Sequence, residues 1–83
     1  MLEMLKTGHK FVGLKQSVRA VTQGMVKAAY IAKDAQSHVT VPFENLCKDM
    51  KVRIVYVDTM RELAEACNVE VPTAVAVVLD KFA

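Results

Sequence analysis

The stretch Ala74-Val75-Ala76-Val77-Val78-Leu79 is apolar at every position and contains three valines. Six residues suit a strand better than a helix, and β-branched side chains favour extended backbone. Successive side chains of a strand point to opposite sides of the sheet, so a strand without polar positions is covered on both faces. The stretch therefore predicts a strand that is central in its sheet or covered on both faces.

Outward from this strand, the sequence alternates between extended and helical patterns. Ala28–Ala32 is a second apolar run, Arg53–Val57 is β-branched and aromatic, and Phe11–Gly13 is a short extended piece. Together with residues 74–79, these segments predict a sheet of about four strands. Because helical segments separate them, the predicted fold class is α/β, a three-layer α/β/α sandwich around a mixed sheet.

Four helices are predicted before and between the strands. The first covers Met1–Thr7 and stops at Gly8. In the second, Leu14–Gln23, apolar side chains recur at helical spacing, and a glycine follows where helices commonly end. The apolar stripe of this second helix consists of Leu14, Val18 and Val21.

The third and fourth helices carry clear signals at their starts. The third begins at Ser37 or at Thr40, and Pro42 is expected in its first turn. The N–H groups of a first turn have no partner within the helix, so the missing N–H of proline costs no hydrogen bond there. The core stripe of the third helix consists of Phe43, Leu46, Cys47 and Met50. The fourth helix follows Thr59, which forms a capping box with Glu62. The apolar side of the fourth helix consists of Met60, Leu63, Ala64 and Cys67.

Length and composition indicate a small globular protein. The chain has 83 residues, too few for two independent cores, so residues 1–83 are expected to form one domain. A hydrophobic share of 53 % allows a compact core. No apolar run approaches the ~20 residues that span a bilayer, and the first six residues are too short and too charged for a signal peptide. A cytoplasmic monomer with no membrane contact is expected.

No catalytic or metal-binding motif is present in the sequence. Cys47 and Cys67 form no Cys-x-x-Cys pair, and His9 and His38 have no further ligand at metal spacing. Two reduced thiols on apolar helix faces are therefore expected, with no metal or other cofactor. Since phosphate-binding loops, nucleophile elbows and metal-ligand helices are also absent, the chain is not expected to be an enzyme.

Charge is distributed unevenly along the chain. The net charge of the whole chain is +2, but residues 1–33 carry +5 and residues 34–83 carry −3. A basic half indicates a face suited to a polyanion such as nucleic acid, although a solvated charged face produces the same pattern. Composition alone leaves both interpretations open.

One segment, Val12-Gly13-Leu14-Lys15-Gln16-Ser17-Val18-Arg19, joins an extended piece to a basic helix start. Gly13 allows the backbone to approach a ligand, and the helix start directs unpaired N–H groups and the positive end of its dipole toward it. Lys15, Gln16 and Arg19 share the face opposite the apolar stripe. Their side chains donate hydrogen bonds to phosphates and base edges, although an ordinary solvated helix face is the alternative.

A second segment, Asn68-Val69-Glu70-Val71-Pro72-Thr73, connects the fourth helix to the last strand. Asn68 is expected in the left-handed conformation that ends a helix, where Asn substitutes for Gly. The two valines of the segment either anchor it by packing or form an apolar lip for an extruded base or a partner.

Together the two segments resemble the kink-turn-binding ribosomal protein superfamily of the seven-Ae and thirty-e type, and most of all its small bacterial seven-Ae-like paralogues. The likeness covers nearly the whole chain and lies in the order and spacing of several blocks. The blocks are Gly13–Val21, Ile31–Asp34, Leu46–Cys47, Val55–Val57 and Val69–Pro72. The resemblance implies a sandwich in which the start of the second helix lies beside the loop before the last strand.

The resemblance also implies a partner: structured RNA with a kink-turn, a helix–bulge–helix with sheared G·A pairs, in ribosomal RNA, a riboswitch or another structured RNA. The implied RNA-binding residues are Gly13, Leu14, Lys15, Gln16, Arg19, Lys33, Val69, Glu70 and Val71. Lys15 and Gln16 stand where the archaeal members have an Asn-Glu pair that reads guanines, and Arg19 stands at a basic position. Residues 69–71 fall on the loop that packs against the extruded nucleotide.

Four positions depart from the pattern of this superfamily. The Lys15-Gln16 pair lacks the carboxylate acceptor for guanine N–H groups but keeps the Gln carbonyl. Leu14 replaces a common Thr, and Asn68 replaces a typical Gly. No DNA partner is expected. The alternative function is a ribosome-associated adaptor that binds protein, because the second half is acidic and the chain has five methionines for adaptable contacts.

Overall fold

The computed structural model describes residues 9–79, which form four strands and three helices. The strands are β1 (Lys10–Val12), β2 (Val26–Ala32), β3 (Arg53–Val57) and β4 (Val75–Leu79). The helices are α1 (Leu14–Thr22), α2 (Ser37–Asp49) and α3 (Met60–Cys67). The helix predicted at Met1–Thr7 lies outside the described residues.

The four strands form one mixed sheet in the order β1-β4-β2-β3. Strand β4 is antiparallel to both of its neighbours, β1 and β2, whereas β2 and β3 are parallel. The four residues from Val75 to Val78 are all buried, because helices pack against this strand from both sides. The prediction that this strand is central or covered on both faces is therefore confirmed.

Helices α1 and α2 pack on one face of the sheet, and α3 packs on the other. The first face buries Ala20, Val21, Ala29, Ile31, Phe43, Cys47, Val75 and Val77. The second face buries Ala28, Tyr30, Ala32, Val57, Leu63, Ala66, Cys67, Ala76 and Val78. Neighbouring residues of β2 and β4 belong to opposite faces, as the two-residue period of a strand requires. The predicted three-layer α/β/α sandwich around a mixed sheet is confirmed.

Each of the three described helices ends in a turn with one residue in the left-handed conformation. These residues are Gly24 (φ 74°), Lys51 (φ 58°) and Asn68 (φ 61°). In α1 the Met25 N–H donates to the Ala20 carbonyl and the Gly24 N–H donates to the Val21 carbonyl, which is the Schellman pattern. The predictions for Gly24 and Asn68 are confirmed, whereas the left-handed lysine was not anticipated.

Helix α2 begins at Ser37, the earlier of its two predicted starts. Pro42 is therefore inside the helix, and the prediction that it lies in the first turn is wrong. Its ring nitrogen cannot donate to the carbonyl of His38 one turn earlier, so the helix lacks one backbone bond. Both His38 and Pro42 are exposed, so water can bind the carbonyl left without its partner.

Two residues predicted for apolar stripes are exposed instead. Met50 is 42 % exposed because α2 ends one residue earlier and Met50 is its C-cap. Leu14 is 39 % exposed, at the first position of α1. The buried residues of α1 are Ser17, Ala20 and Val21. The helical period is a weak guide at these positions because a terminal side chain has neighbours on one side only.

All three helices begin at the same end of the sheet, because each follows one of the strands β1, β2 and β3, which run in the same direction. The Gly13 N–H donates to the Val75 carbonyl (3.0 Å), and the Ala32 N–H donates to the Ala74 carbonyl (2.9 Å). The ends of β1 and β2 thus flank the start of β4. We refer to this region as the helix-start end. It places the start of α1 beside the segment that precedes β4, as the family resemblance implied.

Candidate nucleic-acid interface

Gly13 forms a sharp junction between β1 and α1. Its backbone has φ 100° and ψ 159°, a region that glycine alone occupies without strain. A Cβ atom at this position would meet no heavy atom within 4 Å. The backbone conformation therefore requires glycine here, and the protein leaves open space beside the junction.

The first turn of α1 is open to an anion. Among residues 9–79, no side chain accepts a hydrogen bond from its N–H groups, and the turn contains no acidic residue. The start of α2, with Gln36 as its N-cap, has the same two properties within these residues. At α3, by contrast, the predicted cap is present, and Thr59 Oγ1 accepts a bond from the Glu62 N–H (3.0 Å). Asp34 Oδ1 accepts a second bond from the Met60 N–H (2.7 Å). The protein thus satisfies the start of α3 itself and leaves the start of α1 able to attract an anion.

Lys15, Gln16 and Arg19 are exposed on the side of α1 that faces away from the buried Val21, as the helical spacing predicts. We refer to these three residues as the α1 surface. Neither of its two cations forms an ion pair within residues 9–79. Lys15 lies in the first turn, where its charge opposes the helix dipole, so a bound phosphate would be attracted by both. Leu14 adds an exposed apolar side chain at the same helix start.

The connection from α3 to β4, residues 68–74, runs back along α3 toward the helix-start end, and we refer to it as the return segment. The Val69 N–H donates to a carbonyl in the middle of α3, and the Thr73 N–H donates to the Met60 carbonyl in its first turn. Val69 packs partly buried against the core, whereas Val71 is 67 % exposed. Val69 therefore anchors the segment, and Val71 is the valine available to a ligand.

An open groove of about 410 Å³ separates the return segment from α3. Its lining residues are Arg61, Ala64, Glu65, Val69, Glu70 and Pro72. Arg61 Nε lies 3.5 Å from a carboxylate oxygen of Glu65, so these two charges offset each other. The remaining carboxylate, that of Glu70, gives the groove a net negative charge. Because phosphate would be repelled there, Glu70 is suited to accept hydrogen bonds from base N–H groups and unsuited to contact the RNA backbone.

Lys33, another predicted site residue, follows β2 at the helix-start end. Its backbone N–H donates to the Val57 carbonyl (2.7 Å), and its ammonium group lies 3.3 Å from Asp58 Oδ1. Both side chains of this ion pair are exposed, and such pairs contribute at most about 1 kcal/mol. A phosphate can therefore compete with Asp58 for the charge of Lys33.

Sequence patterns missed two residues near the start of α1 and α3. Asp34 bonds to α3 from 26 residues away, and no local pattern shows which loop meets which helix. Ser17 is fully buried, and its Oγ has no hydrogen-bond partner among residues 9–79. Ser17 lies three and four residues before Ala20 and Val21, so its spacing indicates the buried face of α1. Its polar side chain, however, is not typical of a core position.

Both cysteines are free and buried, as predicted. Burial raises the pKa of the Cys47 thiol from 9.0 to about 11, and the negative charge of Glu44 acts in the same direction. Burial also raises the pKa of the Cys67 thiol, against the opposing positive charge of Lys10. A hydrogen bond to Glu44 raises the pKa of the Tyr56 hydroxyl on β3. Both thiols are protonated at neutral pH, so they behave as packing residues.

Among residues 9–79, no helix has the length and apolar character needed to cross a membrane. The same residues contain no group of three or more His, Cys, Asp or Glu side chains that could hold a metal ion.

An open helix start that carries basic side chains is suited to bind an anion. The profile of the ribosomal protein L7Ae/L30e/S12e/Gadd45 family matches residues 2–83, and the chain belongs to this family. The resemblance seen in the sequence is thereby confirmed.

Two bacterial relatives cover most of the chain. An RNA-binding protein of Caldanaerobacter subterraneus subsp. tengcongensis is 42 % identical over 67 residues, which are 81 % of this chain and 82 % of that protein. An RNA-binding protein of Bacillus pumilus is 35 % identical over 68 residues, covering 82 % of this chain and 83 % of the relative.

Solved structures show the same architecture. The Giardia lamblia 15.5kD RNA binding protein superimposes with a TM-score of 0.88 at 28 % identity, covering 95 % of this chain and 70 % of that one. A protein of unknown function from Bacillus halodurans has a TM-score of 0.83 at 22 % identity, covering 98 % of this chain and 85 % of that one, and supports the fold alone.

Proposed function

We propose that this chain is an RNA-binding protein that recognises and stabilises kink-turns, with residues 1–83 acting as one RNA-binding domain and as a cytoplasmic monomer. The observation that carries the proposal is the uncapped, basic start of α1, which the bond between Gly13 and Val75 holds beside the return segment. The two bacterial relatives and the Giardia lamblia protein are named RNA-binding proteins, which supports the same class of partner. The role proposed is binding, with no chemical step.

The α1 surface supplies the recognition of the kinked strand. Lys15 and the open N–H groups of the first turn are suited to phosphate oxygens. Gln16 carries both an amide donor and a carbonyl acceptor, so it can read the edge of a purine in a sheared G·A pair. Arg19, one turn further along, presents its planar guanidinium to a phosphate or a guanine edge.

The return segment supplies the second side of the contact. Val71 is the most exposed large apolar side chain among the described residues, and Leu14 is exposed at the start of α1. An unstacked base needs an apolar surface to replace its lost stacking partner. An extruded nucleotide covered by Val71 would bury that valine, while Lys33 and Glu70 offer a cation and an acceptor at the edges.

The test is a comparison of two RNAs in a gel-shift titration, one with a standard kink-turn and one with its G·A pairs disrupted. The wild-type protein should bind the kinked RNA with micromolar or tighter affinity and prefer it to the disrupted one. The variant Lys15→Ala/Gln16→Ala should weaken binding of the kinked RNA about 10-fold or more, because a specific base contact is worth ~1–3 kcal/mol. Binding of the disrupted RNA should change less.

The matched control is Gln23→Ala/Lys48→Ala, which removes one amide and one exposed cation away from the helix-start end. This variant should bind both RNAs as the wild type does. Equal affinity of the wild type for kinked and disrupted RNA would refute kink-turn recognition. A uniform loss for both RNAs in Lys15→Ala/Gln16→Ala would show that these residues contact phosphate only.

A further inference from the structure

A second basic region lies at the end of the sheet opposite the helix-start end. Arg53 begins β3 and pairs in register with Ala28 of β2, and Lys27 precedes that partner. Lys51 lies two residues before Arg53. Strand spacing and the chain length between neighbours place the Cα atoms of Lys27 and Lys51 each within about 9 Å of that of Arg53. We refer to Lys27, Lys51 and Arg53, all exposed, as the basic end.

The three cations of the basic end form no ion pair among the described residues. The ion pairs within residues 9–79 join Lys33 to Asp58, Lys48 to Glu44 and Arg61 to Glu65. No member of the basic end takes part in them. The carboxylate nearest to Lys51 and Arg53 along the chain is that of Asp49, in the last turn of α2.

Lys27 owes its position to a β-bulge. The register between β2 and β4 shifts between Val26 and Ala28, so that two steps along β2 match one step along β4. Lys27 is the extra residue and has no partner on β4. Bulges commonly redirect a side chain beside a functional site, and here the redirected side chain carries a positive charge.

Lys51 occupies a backbone conformation that a lysine adopts at a cost. It is the left-handed residue at the end of α2, with φ 58°. The equivalent residues of α1 and α3 are Gly24 and Asn68, the two types that tolerate this conformation best. Two separate irregularities of the backbone therefore present cations at the same end of the sheet.

We propose that the basic end binds the phosphate backbone of an RNA duplex, as a second contact separate from the α1 surface. Lysine and arginine side chains that form no ion pair within the protein are suited to neutralise phosphates, and such contacts are independent of sequence. Strand β2 spans roughly 20 Å between the two ends of the sheet, at ~3.3 Å per residue. The protein can therefore hold a kinked segment at one end and a second helical segment at the other.

The experiment uses an RNA duplex of about two helical turns without a kink, and a kinked RNA with the shortest stems that still fold. The variant Lys27→Gln/Lys51→Gln/Arg53→Gln should weaken duplex binding at least 10-fold. Its plot of log affinity against log salt should be less steep by about 2 to 3, because each neutralised phosphate contributes ~0.7–0.9 to the slope. The affinity of this triple variant for the short kinked RNA should stay within about twofold of the wild-type value. The two ends of the sheet lie ~20 Å apart, which exceeds the ~8 Å Debye length in physiological salt.

The control variant Lys48→Gln removes an exposed cation that already has a carboxylate partner, Glu44, and it should keep most of the duplex affinity. Circular dichroism melts of all variants establish that each is folded. The proposal is overturned if the wild type does not bind the duplex, if the triple variant binds it as the wild type does, or if the triple variant loses both RNAs equally. Failure of the wild type to prefer kinked over disrupted RNA would contradict the proposed function alone.

Discussion

Gly13 connects the backbone geometry of the molecule to its proposed interface. Its φ of 100° turns the chain from β1 into α1, and its N–H binds β4 at the Val75 carbonyl. An L-residue in this region of the backbone map is strained by about 1–3 kcal/mol. The structure around it leaves space for a methyl group, so the strain of a substitution would come from the backbone alone.

The variant Gly13→Ala should therefore be less stable than the wild type by about 1–3 kcal/mol, measured by urea denaturation. It should also bind kinked RNA less tightly, because relief of the strain shifts the first turn of α1. Gly24→Ala is the control: its φ of 74° is left-handed, but it lies at the far end of α1, so it should lose stability without a specific loss of kinked RNA. An unchanged midpoint for Gly13→Ala would contradict this account of the junction.

For single residues, the exposed side of α1 was predicted correctly, whereas burial was predicted less well. Lys15, Gln16 and Arg19 were placed on one side of a helix by spacing alone, and the structure agrees. Ser17 was not predicted to be buried because a hydroxyl does not mark a core position. Val69 and Val71 could not be told apart, since the pattern of a loop does not show which side chain packs.

The ends of the helices show which features can be predicted from the sequence of one segment alone. Thr59 with Glu62 and Asn68 were read correctly because capping depends on residues a few positions apart. The position of Pro42 was wrong because two starts for α2 fitted the same pattern. The bond from Asp34 to the start of α3 depends on how two segments meet, which no local signal encodes.

The left-handed end of α2 gives a prediction for stability. Lys51→Gly should stabilise the protein by about 0.5–1 kcal/mol in urea denaturation, because glycine occupies φ 58° without steric penalty. Asn68→Gly is the matched control at the end of α3 and should change stability less, since Asn already tolerates this conformation. Lys51→Gly should at the same time bind duplex RNA more weakly than the wild type. A loss of stability in Lys51→Gly would show that the lysine makes a stabilising contact of its own.

In the folded molecule, positive charge is distributed differently from what the linear sequence indicates. Residues 34–83 carry a net charge of −3, yet two of the three cations at the basic end belong to them. The parallel pairing of β2 with β3 brings Arg53 beside Ala28 and therefore close to Lys27. Fold class followed from the alternation of strands and helices, but strand order, and with it this cluster, required the structure.

Cys47 sits in the core between α2 and the sheet and makes the stability of the whole domain sensitive to alkaline pH. Its pKa is raised from 9.0 to about 11 in the folded protein, mainly by burial, so the folded state keeps a proton that the unfolded state releases. The contribution to stability is complete below pH 9 and is lost as the pH rises toward 11. The slope of this loss is about 1.4 kcal/mol per pH unit at most, or roughly 2 kcal/mol in total.

The measurement is the free energy of unfolding by urea at pH 7, 9, 10 and 11 for the wild type and for Cys47→Ala. The alanine variant should start lower, because a smaller side chain leaves a cavity in the core. It should then lose less stability than the wild type between pH 9 and 11, since it has no thiol to ionise. Cys67→Ala is measured in the same way for comparison. In Cys67 the positive charge of Lys10 lowers the pKa of the thiol and so opposes the effect of burial. Parallel curves for the wild type and Cys47→Ala would show that other groups govern alkaline unfolding.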